Sequence, residues 1–517
     1  MTATLLRGGA VFDGVSSQRR NVSVLVADGL VQAVSADLSA VDATTVIDLD
    51  GAWLTPGFID AHSHADAAVL TGEQMENRAH SGVTTEIVGQ DGLGLSHSKG
   101  PAAEQMTEIL TPVAGDVSGL LAESVADYLA LVDAGAYARA ATLSPHGTIR
   151  AAVIGRDLVP ATETQLLAMA AAFVSDMESG ALGLSTGLSY PPALAATTDE
   201  LASILTAAGP KTLYVTHLRS YGKDFEEAIE EAIEISQLTG CHLHLSHFHL
   251  SGPGRESLAR EYLSRLSEVA PLSTLDSYPY LHACTFLTAL LPARLQGLTY
   301  GDLQNLFLHR GPAMVEELAQ SGPEATIAVG WAALILAGLT GQHRHWNGLS
   351  LQEVSSIISK TPEAVVRDVI MTEERSPMVL VPQGHASNIR EIAHSSMQVV
   401  GSDGIFGSGG PHPRLAGTFF RFLRLVIDGE VPITVEQAIA KMTSRTAGIF
   451  GIKAGAIAPG FPADLLVLDP GLIHRGDDVV VSRPDAIQHA FIGGVQTIKQ
   501  GIWQGRKLSG MAVRGSS

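Results

Sequence analysis

The chain has 517 residues, 45% of them hydrophobic and 17% charged, with a formal net charge of −20 at pH 7. This is the composition of a compact globular protein, and the acidic balance excludes binding of nucleic acid or anionic membrane through a diffuse basic surface. The only cysteines, Cys241 and Cys284, have no C-x-x-C spacing, which excludes a disulfide framework and a thiolate zinc site.

The start of the chain lacks a basic region followed by an apolar core and a cleavage site. No later segment is apolar for long enough to span a membrane, so a soluble cytoplasmic protein is expected. Residues 1–54 alternate apolar and polar positions in short runs (Thr2–Leu6, Asn21–Val26, Leu30–Val34, Thr45–Leu49) and read as a small β unit. From Leu54 the pattern becomes strand followed by helix, the signature of a parallel sheet covered by helices. Strands are expected at 54–64, 84–91, 141–149, 181–188, 212–219, 242–249, 272–280 and 397–403, the number that closes a (β/α)8 barrel of TIM type.

Helices are expected at 124–137, 162–179, 198–208, 224–239 and 256–269. In the fourth, Phe225, Ala228, Ile229, Ala232, Ile233 and Ile235 lie on one side, with Glu226, Glu227, Glu230 and Glu231 largely opposite. The interval Leu281–Ser396 is too long for one crossover, so an inserted subdomain is expected at about 285–395 with a strand at 325–330, a candidate lid. The barrel with its insertion then spans 55–450. Residues 451–517 return to a turn-rich β pattern and are expected to complete one β-sandwich with residues 1–54, since neither end is large enough to be stable alone.

Active sites of such barrels lie at the C-terminal ends of the strands. Polar residues recur there: His62 and His64 after the first, Asp91 after the second, His217 after the fifth, His247 and His249 after the sixth, and Asp403 after the eighth. Residues i and i+2 of a strand face one side, so His62 and His64 can share one ion. Histidines and carboxylates with an open position suit zinc, or a harder divalent ion where oxygen dominates. Water on such an ion ionises near neutral pH and can attack an amide carbonyl. Asp403 is the natural carrier of its proton to the leaving nitrogen.

The runs P-G-F-I-D-A-H-S-H-A-D, G-V-T-T-E-I-V-G-Q-D-G, L-S-T-G-L-S-Y-P-P, T-H-L-R-S-Y-G, L-H-L-S-H-F-H, D-S-Y-P-Y, V-G-S-D-G and I-A-P-G-F-P-A-D-L-L-V-L occur in this order. Nearly the whole chain thereby resembles the amidohydrolase superfamily, in its D-aminoacylase or N-acyl-D-amino-acid deacylase branch. The resemblance implies that His217 and His247 hold a tightly bound zinc, and that His62, His64 and Asp403 form a weaker or optional position. That branch commonly has a bridging cysteine where Asp91 stands, and a lysine where His249 stands; both are departures. It also implies that Tyr190, Tyr280 and Arg414 hold the substrate α-carboxylate, with His249 beside them. Packing against Pro191 and Pro279 is the other reading of the tyrosines, and a structural ion pair that of Arg414.

The expected activity is hydrolysis of N-acyl-D-amino acids, or of dipeptides with a C-terminal D-residue, with one or two zinc ions and a small-molecule substrate as the only implied partners. Cyclic-amide hydrolysis of the hydantoinase or dihydroorotase type is the alternative. It is disfavoured because no lysine lies between Arg150 and Lys211 to bridge two metals. A non-catalytic barrel is a third reading, against which the intact ligand set counts.

Overall fold

The computed structural model of the chain describes residues 3–38, 43–407, 412–473 and 485–515. Thr2 and parts of both end segments lie outside them. The fold is mixed α/β, and its centre is a series of short parallel strands. These are β1 (Phe58–Asp60), β2 (Val83–Val88), β3 (Arg139–Thr142, continued by Ser144–Pro145), β4 (Leu184–Gly187), β5 (Leu213–His217), β6 (His242–Leu245), β7 (Thr274–Ser277) and β8 (Gln398–Val400). Each pairs in parallel with the next in sequence, β7 passing directly to β8. Beyond β8 the ladder meets β1 again: Ala61 N–H donates to Val400 O at 3.2 Å, and Asp403 N–H donates to His62 O at 2.8 Å.

These strands are buried on both faces, as β2 (VTTEIV) and β5 (LYVTH) show throughout their length, because helices cover the sheet. The helix Phe225–Thr239 buries Phe225, Ala228, Ile229, Ala232, Ile233 and Ile235 and stops at Gly240, whose φ of 70° is the left-handed conformation that favours glycine at a helix end. The helix Glu163–Glu178 begins with a capping box between Thr162 and Gln165.

The expected strand 54–64 is in fact two. Trp53–Pro56 pairs antiparallel with Leu465–Leu468 in a different sheet, and only Phe58–Asp60 opens the central series. The break is at Gly57, where a Cβ would lie 2.1 Å from Thr84 Oγ1, so only glycine lets the chain turn against β2. The six-stranded sheet that receives Trp53–Pro56 runs in the order 10–11, 53–56, 465–468, 487–492, 495–499, 502–503, and so contains both ends of the chain. It shares a core with the sheet of strands 4–7, 23–27, 30–35 and 45–48 through Leu6, Val24, Val31, Leu54, Leu465 and Phe491.

Between β7 and β8 stands a three-stranded antiparallel sheet (His282–Phe286, Met378–Pro382, Ile335–Ala337) with its own helices and its own core around Phe307, Leu336, Val366 and Val369. The strand expected at 325–330 is absent. Pro323 starts a single helical turn over Pro323–Ala325, and the segment that finds a partner is Ile335–Ala337, which pairs with Met378–Leu380.

Beneath the strand ends, Arg78 is fully buried. Its guanidinium donates to both Glu86 oxygens at 2.9 and 2.8 Å, to Asp60 Oδ2, and to Leu415 O at 2.7 Å. Replacing it strands two carboxylates in the interior. Arg78→Leu is expected to cost about 3–5 kcal/mol of unfolding free energy in a urea titration; a loss below about 1 kcal/mol would show that the network does not support the fold.

Candidate active site

The ends of β1, β2, β5, β6 and β8 and the chain just beyond them bring His62, His64, Asp91, His217, His247 and Asp403 together. All six are buried. They form two groups, His62–His64–Asp91–Asp403 and Asp91–His217–His247, in each of which one ligand-type atom per residue lies within 4.8 Å of the others. Asp91 belongs to both. Its Oδ1 lies 3.5 Å from His62 Nε2 and 3.6 Å from His247 Nε2, and its Oδ2 lies 3.6 Å from both His64 Nε2 and His217 Nδ1. Asp403 Oδ1 stands 3.2 Å from His64 Nε2.

Three of these residues, Asp91 (φ 56°), His247 (φ 32°) and Asp403 (φ 50°), have left-handed backbone. That conformation costs side-chain-bearing residues roughly 1–3 kcal/mol each and persists only where its surroundings enforce it. For two of the three, hydrogen bonds to neighbours do so. Asp403 N–H is held by His62 O, and His247 N–H donates to Asp276 Oδ1 at 2.9 Å.

Two histidines turn one nitrogen to the cluster and have the other hydrogen-bonded, and a third has a carboxylate near its outer nitrogen. His217 Nε2 pairs with Ser189 Oγ at 2.8 Å, His247 Nδ1 with Tyr221 OH at 3.1 Å, and His62 Nδ1 lies 3.5 Å from Asp276 Oδ2. Asp276 also pairs with His244 Nε2 at 3.1 Å. Ser189, Tyr221 and Asp276 went unassigned in the sequence reading, although all three sit in the quoted runs. The signal that could have found them is a polar residue at or just beyond a strand end, one to four positions from an assigned one.

The electrostatics are mutual. Burial opposes charge on His62, but Asp91 and Asp276 outweigh it and raise its pKa well above the ordinary value. Burial likewise opposes the charged form of Asp91, and His62, His217 and His247 overcome it, holding the carboxyl well below the usual range. Asp403, again against its burial, is brought down to about 2 by Arg414 and His64. His217 differs, since its burial outweighs the pull of Asp91 and lowers its pKa, which favours the neutral imidazole that a metal ion requires.

The donor set fits a divalent ion. Both nitrogens of His62 and Asp91 Oδ1 are buried without a hydrogen-bond partner. Two atoms each about 2.1 Å from a tetrahedral ion lie about 3.4 Å apart, near the separations above.

The cluster floors a cavity of about 690 Å³, open mouth included, whose walls are mainly apolar, among them Leu93, Val113, Phe286, Ile327 and Met378. Of the residues expected to touch substrate, Tyr190 and His249 line it. Tyr190 packs on His217, ring centroids 4.6 Å apart. His249 donates from Nδ1 to His247 O at 2.6 Å, accepts at Nε2 from the Gln383 amide, and stacks on Tyr221. Arg414 is fully buried and pairs with Asp403 Oδ2 at 2.8 Å. Tyr280 stands outside the cavity lining, its hydroxyl 3.4 Å from Pro413 O; Tyr278, two residues earlier, lines the cavity and faces Arg414.

Residues 45–305 and 353–502 match the model of the amidohydrolase family. The chain belongs to this family. Among curated amidohydrolase relatives, the D-aminoacylase of Alcaligenes xylosoxydans xylosoxydans is 29% identical over 98% of this chain and 95% of its own length. The N-acyl-D-aspartate deacylase of the same organism is 28% identical over 97% of this chain and 92% of its own. The crystal structure of N-acyl-D-glutamate deacylase from Bordetella bronchiseptica, complexed with zinc and a phosphonate inhibitor, superposes with a TM-score of 0.80 at 25% identity, covering 96% of each chain.

If Asp276 orients His62 for an ion, Asp276→Asn should weaken metal affinity roughly 10- to 100-fold in competition with a chromophoric chelator. Unchanged affinity in the folded variant would leave Asp276 a purely structural role.

Proposed function

We propose that this amidohydrolase uses a divalent metal to cleave the amide bond of N-acyl-D-amino acids, or of dipeptides with a C-terminal D-residue. The observation that carries the reading is the convergence of four histidines on Asp91 and Asp403 at the floor of an apolar cavity, in a chain similar over nearly its whole length to D-aminoacylase and N-acyl-D-amino-acid deacylases.

In this reading the central strands close as a (β/α)8 barrel, the chain ends form a β-sandwich beside it, and the insertion between β7 and β8 covers the mouth. His217, His247 and Asp91 would hold one zinc, and His62, His64 and Asp403 would offer ligands to a second, with Asp91 within reach of both groups. A bound divalent ion acidifies water and polarises an amide carbonyl. The side chains supply the rest. Asp403, kept ionised beside Arg414, accepts a proton from the attacking water and delivers it to the leaving nitrogen, while its Oδ2 stays paired with the guanidinium. The apolar walls exclude bulk water, which strengthens each charge interaction at the floor. Tyr190 and His249 face the substrate, and Arg414 and Tyr280 support that wall from behind.

No observation favours a cyclic-amide substrate: β4 carries Leu-Ser-Thr-Gly and no lysine. No described helix is long and apolar enough to cross a membrane.

The test is amine release by the zinc-loaded protein from matched N-acetyl-D- and N-acetyl-L-amino acids and from L-D and L-L dipeptides. Turnover is expected in the D-series alone; turnover confined to L-compounds would discard the D-specific assignment. Chelation should abolish activity and zinc restore it. Asp403→Asn is expected to lower kcat by about 100- to 10,000-fold while most metal remains bound; a fully active variant would remove Asp403 from the proton path.

A further inference from the structure

Tyr221 reaches the cluster from the loop that follows β5, and that loop is itself held by the inserted segment. The phenol oxygen of Tyr221 lies 3.1 Å from His247 Nδ1, 3.2 Å from Leu218 N and 3.3 Å from Ser246 O. A phenol has one proton to donate. One arrangement satisfies all three contacts: the hydroxyl donates to Ser246 O and accepts from Leu218 N–H and from His247 Nδ1–H. That leaves the lone pair of the His247 ring on Nε2, the nitrogen that lies 3.6 Å from Asp91 Oδ1.

The backbone on either side of Gly222 pairs with the inserted segment. Tyr221 N–H donates to Thr326 O at 2.9 Å, and Lys223 N–H donates to Glu324 O at 3.2 Å. Gly222 itself is enclosed: its carbonyl accepts from Arg255 Nη1 at 2.8 Å, and its N–H donates to Ser220 Oγ at 3.0 Å. A Cβ at this position would collide with Glu324 O and stand 2.9 Å from Ile327 O. Both are backbone atoms, so any side chain here would push the two segments apart. The loop after β6 docks on the same segment through a second glycine, since a Cβ at Gly252 would collide with the Ala328 Cβ. Thr326 and Ile327 also line the cavity. The stretch of the insertion that forms part of the cavity wall is therefore the stretch that holds the Tyr221 backbone.

We infer that Gly222 is a positioning residue of the cluster: by letting the inserted segment dock against the loop after β5, it places the Tyr221 hydroxyl that orients His247. The inference rests on the divalent-metal reading of the cluster and is independent of which amide is cleaved. A glycine needed only to pack the insertion would change stability and leave His247 as it is, so the readout is taken at the histidine and its ion.

The experiment is a double-mutant cycle on the full-length protein, with zinc affinity measured in competition with a chromophoric chelator. Gly222→Ala and Tyr221→Phe are each expected to weaken zinc binding by about tenfold. The double variant is expected to lose no more than about tenfold, because both substitutions remove the same contact. Unchanged affinity in Gly222→Ala, or losses that multiply to about 100-fold in the double variant, would overturn the inference. If Gly222→Ala does not fold, Gly252→Ala, which parts the same segment from the loop after β6, replaces it in the cycle with the same expectations. If the unsubstituted protein binds no zinc, the metal reading fails, and the NMR shifts of the His247 ring nitrogens decide this inference instead. Gly222→Ala should move them in the direction that Tyr221→Phe does; shifts left in place would overturn it.

Discussion

One buried carboxylate, Asp60, ties the first strand of the central series to the last. It accepts hydrogen bonds from His62 N–H at 3.2 Å and Ser402 N–H at 2.8 Å on Oδ1, and from Ser402 Oγ and Arg78 on Oδ2. The two backbone amides belong to the segments that carry His62 and Asp403, so a single side chain fixes the spacing of residues that lie 341 positions apart in sequence. An ion buried this deeply is tolerable only when its other valences are met. Arg78 meets them and extends the network to Glu86 on β2 and to Leu415 O in the helix Arg414–Ile427. Satisfied networks of this kind rigidify their surroundings, and the cluster above inherits that rigidity.

Rigidity in turn decides which histidine nitrogen is offered. The imidazoles of His217 and His247 approach each other to 2.9 Å between Nδ1 of one and Nε2 of the other. They present different nitrogens because Ser189 holds His217 by Nε2 and Tyr221 holds His247 by Nδ1. The left-handed backbone at His247 and Asp403 has the same origin: ladder and side-chain hydrogen bonds place these residues where relaxed extended chain would not. The ion proposed for the cluster would meet ligands already oriented, with little ordering left to complete on binding.

Much of this was legible in the sequence because it follows from period and position. The parallel strands lie within a few residues of where apolar runs and turn residues put them, and the helix Phe225–Thr239 buries the face its spacing marked. The six clustered residues were legible because strand ends converge in such folds. Local pattern does not say which sheet a strand joins, so Trp53–Pro56 and Phe58–Asp60 read as one run although Gly57 divides them between two sheets. Nor does it give the direction of a side chain in a loop. Tyr278 and Tyr280 share the run D-S-Y-P-Y, yet only Tyr278 reaches the cavity. Supporting residues such as Asp276 are least legible, since a buried carboxylate that holds a histidine looks in sequence like any strand-end aspartate.

The aspartate at position 91 changes how the two halves of the cluster communicate. A thiolate bridge, common in the branch this chain resembles, offers one soft atom to both positions. In the proposed site the carboxylate would spread that task over two oxygens, and its surroundings are symmetric. Oδ1 faces one histidine of each group, His62 and His247, and Oδ2 faces the other two, His64 and His217. Each group of ligands therefore sees both oxygens. Oxygen donors also weaken the preference for soft ions, so selection among metals falls to the imidazoles and to the geometry that Asp60, Ser189, Tyr221 and Asp276 impose on them. Asp91, which faces both groups, is also one of the residues with left-handed backbone, a conformation that costs roughly 1–3 kcal/mol at a residue with a side chain.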